Sequence, residues 1–94
     1  MIVGTLQVRL LIREARTLKD KRQVVRSIKD RLRNAFNVAV AEVDALDHRQ
    51  LVVLGFAAVG NEAAHVRSTL DEVAAALRSH PVAEFLDQER DVGR

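Results

Sequence analysis

Leu51-Val52-Val53-Leu54-Gly55-Phe56-Ala57-Ala58-Val59 is apolar on both parities. An alternating strand has one dry face. A strand apolar on both sides has both faces covered and suits the middle of a sheet. Immediately before it, Asp47-His48-Arg49 reads as a polar turn, and residues 38–46 read as the other arm of a hairpin. That arm has imperfect parity, with Val38 and Val40 on one face and Val43 and Ala45 on the other; a bulge near Ala41-Glu42, or partial burial of both faces, reconciles them. On the far side, Gly60-Asn61 turns the chain, with Asn61 as a helix N-cap. Ala63, Val66, Leu70, Val73, Ala74 and Leu77 then form a helical stripe that ends near Ser79-His80, before Pro81. A last strand around Phe85 and Leu86 lies within residues 82–92, with a short polar tail at about 90–94.

The first half of the chain completes the pattern. Residues 2–13 alternate: Ile2, Leu6, Val8, Leu10 and Ile12 share one parity, and Thr5, Gln7, Arg9 and Arg13 the other. Glu14-Ala15-Arg16 is a short connection, and Thr17 followed three residues later by Asp20 resembles a capping box. Leu18, Val24, Val25, Ile28, Leu32, Ala35 and Phe36 fall on one helical stripe that ends between Asn34 and Asn37. The order is therefore strand, helix, strand, strand, helix, strand. Two right-handed crossovers and one hairpin make an α+β, ferredoxin-like sandwich: a four-stranded antiparallel sheet with both helices on one face and the first and third strands central. Residues 1–94 read as a single domain.

Composition excludes several kinds of site. With 48% hydrophobic and 30% charged residues the chain should fold. It has no Cys, which removes thiolate nucleophiles and sulfur-ligated zinc. It has no Trp, no Tyr and three Phe, so the stacked aromatics of RNA-recognition motifs are missing. No apolar run is long enough to cross a bilayer, and Met1-Ile2-Val3-Gly4-Thr5 lacks a basic start; the expectation is no signal peptide, no membrane association and a cytoplasmic location. There is no Gly-rich phosphate loop, and Glu14-Ala15-Arg16-Thr17 does not supply the glycine-rich loop of an acylphosphatase. Glu42, Asp44, Asp47 and His48 gather oxygen and imidazole groups at the hairpin as a hard-metal site would, although an acidic hairpin is ordinarily a solvated turn. His65 and His80 have no partner at ligand spacing, and His80 before Pro81 reads as a helix end where a cation is favourable. The reading is of a non-enzymatic protein with no cofactor, metal or catalytic residue.

Charge is unevenly placed. The net charge is +2, yet residues 9–33 hold ten Lys or Arg against three acids, an excess of +7, and residues from 34 onward hold five bases against ten acids, −5. Lys19, Arg22, Arg26, Lys29 and Arg33 are spaced to form one ridge along the flank of the first helix's apolar stripe. The ridge covers roughly 20 Å, a length that matches several phosphates of a nucleic-acid backbone; Arg13 and Arg16 extend it. The plainer alternative is a solvated helix side whose aliphatic stems shield the core edge. Lys21 stands on the apolar side, where it snorkels toward Glu14 or faces a ligand. The sheet face without helices exposes apolar residues of the third strand, which predicts a homodimer or a firmly bound partner covering that face; the plainer alternative is that those residues are merely tolerated.

Ala15-Arg16-Thr17-Leu18-Lys19-Asp20-Lys21-Arg22, continued by Val24-Val25-Arg26 and Asp30 to Val38, then Val40 to Asp44, Leu54-Gly55-Phe56 and Gly60-Asn61, resembles the YlxP-like family of small bacterial proteins. Arg49-Gln50 stands where that family often has an aromatic residue. The resemblance implies a ferredoxin-like fold and no established enzymatic activity. It also implies a setting: family genes commonly lie beside those for ribosome-binding factor A, translation initiation factor two and a tRNA pseudouridine synthase. That neighbourhood suggests ribosome assembly or translation, with ribosomal RNA or a ribosomal subunit as partner through the basic helix.

Overall fold

The structure, a computed structural model, describes residues 1–93. Its elements are β1 (Ile2–Leu11), α1 (Leu18–Ala35), β2 (Ala39–Asp44), β3 (Leu51–Gly60), α2 (Ala63–Arg78) and β4 (Glu84–Gly93). The strands form one antiparallel sheet in the order β2-β3-β1-β4. The alternation of β1 sends Leu6, Val8 and Leu10 to the helix side, in register with Phe56, Leu54 and Val52 of β3. These residues join Val25, Ile28 and Leu32 of α1 and Val66, Leu70, Val73 and Leu77 of α2 in one buried core. Helix α2 crosses β1 closely at Gly4: a Cβ placed there would stand 2.5 Å from a Val66 methyl.

Several expected boundaries move. β1 ends at Leu11 rather than Arg13, because Ala15 N–H turns back to the Ile12 carbonyl. The irregularity in β2 falls between Glu42 and Asp44, at Val43, one residue beyond the expected bulge. It keeps Glu42 on the helix side, opposite Leu54, and turns Asp44 to the open side, opposite Val53. The N-cap of α2 is Glu62, not Asn61, and no side chain caps that helix end. The expected polar tail is mostly strand: Arg90, Asp91, Val92 and Gly93 pair with Leu6, Thr5, Gly4 and Val3. β1 offers backbone partners along its whole length, and β4, an edge strand, can be polar because its open face and outer edge meet water.

Candidate nucleic-acid interface

The first turn of α1 is fixed locally. Thr17 Oγ1 accepts from Asp20 N–H, and Asp20 Oδ2 accepts from the N–H groups of Arg16 and Thr17. The capping box therefore places a carboxylate at the helix N-terminus, and its negative charge disfavours a phosphate there. Anion binding falls to side chains.

Lys19, Arg22, Arg26 and Arg33 are exposed and Lys29 is half-buried. Lys19, Arg22, Arg26 and Lys29 make no ion pair among the described residues. Arg33 differs, with Nη1 3.5 Å from Asp30 Oδ1 and Nη2 3.5 Å from the Val40 carbonyl. That contact places the ridge on the β2 side of the helix. Of the two outlying residues, Arg16 keeps its guanidinium unpaired among the described residues, whereas Arg13 Nε donates to Glu84 Oε2 at 2.8 Å.

Lys21 neither reaches Glu14 nor faces solvent. It is fully buried, and its ammonium donates to the carbonyls of Ala45 and His48 at 2.7 Å each. Its third neighbour is Glu42 Oε2 at 2.9 Å. That oxygen accepts no hydrogen bond of good geometry, so the adjacent ammonium is what compensates its burial. A helix residue thereby ties down the β2–β3 hairpin, in which Ala45 adopts φ 55°.

Of the hairpin's ligand-like residues, Glu42, Asp44 and His48 make structural contacts. Glu42 points inward to Lys21. Asp44 Oδ1 accepts from Ala45 N–H, and His48 Nδ1 accepts from the N–H groups of Gln50 and Leu51. No group of three His, Cys, Asp or Glu among the described residues is placed to hold a metal ion. His80 behaves like His48: Nδ1 accepts from Val82 and Ala83 N–H. Burial, and secondarily the nearby charge of Arg31, push its pKa below 6.5. It is thus a neutral acceptor, contrary to the expected cation at the helix end.

Arg49 is the residue that sequence reasoning passed over. It lies in the hairpin, yet β1 and β3 are antiparallel with Leu11 opposite Leu51, so the hairpin's end adjoins the β1–α1 connection. There Arg13, Arg16 and Arg49 surround a concavity of about 720 Å³, with Glu14, Ala15 and Gln50 completing its wall.

The opposite sheet face is different. β3 contributes Gly55, Ala57 and Val59 to it, β2 contributes Ala39, Ala41 and Val43, and together with Thr5 and Gln7 most of them line a groove of about 500 Å³. Its β4 side carries Asp87, Glu89 and Asp91, of which Asp87 is paired with Arg9 at 2.7 Å.

These features define a class, a small βαββαβ domain whose cations are gathered on one helix flank and at one end of the sheet. The chain belongs to the family described as a protein of unknown function, DUF503, whose model matches residues 3–90. It is also similar to the uncharacterized protein YlxP of Bacillus subtilis (strain 168), with 32% identity over 83 residues, covering 88% of this chain and 90% of that protein. Among the described residues, no helix is long and apolar enough to cross a membrane.

Proposed function

We propose that this protein is a non-enzymatic, cytoplasmic module that docks on structured RNA, in ribosomal small-subunit maturation or translation, through the flank of α1. The observation that carries the reading is that Lys19, Arg22, Arg26 and Lys29 make no ion pair among the described residues. A solvated helix with matched carboxylates would gain nothing from a polyanion, whereas unmatched cations gain from counterion release. Phosphate contacts of this kind position the protein and do not read sequence. The acidic rim of β4 supports the choice of the helix flank over the open sheet face, since Glu89 and Asp91 repel a polyanion there. The test is sedimentation of cell lysate on a sucrose gradient at low and high salt. The protein is expected to travel with a ribosomal subunit at low salt and to leave it at high salt. Migration with small free proteins at both salts sinks the reading.

A second reading, a homodimeric interaction domain with no nucleic-acid role, rests on the apolar groove of the open face, where Val43 and Val59 are about half exposed. Analytical ultracentrifugation tests it: dimers at micromolar concentration that dissociate in Ala57→Arg support it, and a monomer throughout removes it.

A further inference from the structure

We propose that the concavity between the β1–α1 connection and the β2–β3 hairpin is a binding site for a phosphomonoester dianion. Arg13, Arg16 and Arg49 line it, with Glu14 as the one acidic residue beside them. Planar guanidinium groups bind phosphate oxygens through paired N–H donors. A bowl with three of them suits a compact group of charge −2. The α1 ridge is a row, which suits successive monoanionic diesters along a chain.

The wall is held in place before any ligand arrives. Gln50 Nε2 donates to the carbonyls of Arg13 at 2.9 Å and Ala15 at 3.4 Å, and Ile12 N–H donates to the Gln50 carbonyl at 2.9 Å. One residue of the hairpin thus staples the whole connection. Arg49 Nη1 donates to the Arg16 carbonyl at 3.5 Å, which holds its guanidinium beside the β1–α1 connection with donors to spare. Ordering of this kind is settled on folding and need not be met on binding. Arg13 is held by Glu84, but both side chains are well exposed, at 71% and 47%, and a surface pair of that sort yields readily to a dianion.

The site does not depend on the RNA reading. The same chemistry is presented by the 5′-phosphate end of an RNA and by a free nucleoside monophosphate.

NMR titration of the full chain, following arginine Nε–H and glutamine side-chain signals, tests the proposal at constant ionic strength. The probes are inorganic phosphate, uridine monophosphate, and a short oligouridine with either a 5′-phosphate or a 5′-hydroxyl. Saturable shifts at Arg16, Arg49 and Gln50 are expected with the three phosphomonoester-type probes. The 5′-hydroxyl oligomer should bind at least about tenfold more weakly at this site. Tighter binding of the phosphorylated oligomer than of the monophosphate identifies an RNA end as the source, and equal binding identifies a free metabolite.

Arg49→Ala and Arg16→Ala, both at exposed positions, should each lower phosphate affinity about tenfold. Arg49→Lys should recover only part, because an ammonium lacks the fork. Arg67→Ala on α2, an exposed position outside the concavity's lining, should leave phosphate binding unchanged. Three results overturn the proposal: shifts reproduced by chloride alone, equal affinity for the two oligomers, or an unaltered phosphate affinity in Arg49→Ala. Loss of RNA association with phosphate binding intact would count against the docking reading and leave this site standing.

Discussion

Lys21 Nζ on α1 lies 2.9 Å from Glu42 Oε2 on β2, with side-chain exposures of 1% and 14%. The ammonium also holds two hairpin carbonyls, so a single side chain joins a helix, an edge strand and a turn. A buried pair is weak evidence for stability as such, but breaking one by removing a single partner is costly. Lys21→Met should destabilise the protein by about 3–5 kcal/mol, because Glu42 is left buried without its counter-charge. In Lys21→Met/Glu42→Leu much of that loss should return, and the double-mutant cycle should give a coupling of about 1–3 kcal/mol. Urea unfolding followed by circular dichroism measures both. A coupling near zero would mean that the contact does not compensate the charges.

Ala45 carries the hairpin's strain. At φ 55° its Cβ is in the left-handed region, where a non-glycine residue costs about 1–2 kcal/mol. Glycine removes that cost and gives back about 0.4–1 kcal/mol through a freer unfolded chain. Ala45→Gly should therefore stabilise the protein by about 0.5–1 kcal/mol in the same unfolding assay.

His80 makes stability depend on pH in one direction. Its folded pKa lies below 6.5, so just under 6.5 the unfolded chain binds more protons than the folded one. Stability therefore rises with pH through that window. The contribution is complete above 6.5 and is lost as pH falls through the lowered folded value. Structurally, protonating Nδ1 removes the acceptor for Val82 and Ala83 N–H. Urea midpoints across this range should climb with pH in the native sequence, and more shallowly in His80→Asn, whose side-chain oxygen accepts without titrating.

The ridge should not respond uniformly to substitution. Arg22→Glu/Arg26→Glu removes two cations that have no ion pair among the described residues and should lower the slope of log affinity against log salt by about 1.5–2 on a structured RNA. Arg33→Ala should change it less, because Asp30 and the Val40 carbonyl already engage that guanidinium. Equal effects at Arg26 and Arg33 would indicate that the contact with Asp30 does not persist in solution. Folding should be unaffected in both variants, since the residues are exposed.

Local periodicity determined a large part of this protein. The alternation of residues 2–11, the doubly apolar run 51–59 and two amphipathic stripes are short-range patterns, and each strand or helix must bury the side that repeats. The Thr17–Asp20 cap was likewise legible, because both partners lie within one helical turn. So was the ridge, whose spacing is a property of the helix alone. What required tertiary structure was every relation between elements far apart in the chain. Lys21 could be placed on the apolar side of its helix, but only the packing of α1 against β2 brings Glu42 and two carbonyls to its ammonium. Arg49 is one polar residue in a polar turn until antiparallel pairing of β1 with β3 sets it beside Arg13 and Arg16. Residues 90–93 join the sheet because β1 offers them a row of backbone partners. Side-chain patterns report which face of an element is dry, whereas long-range contacts depend on which faces meet.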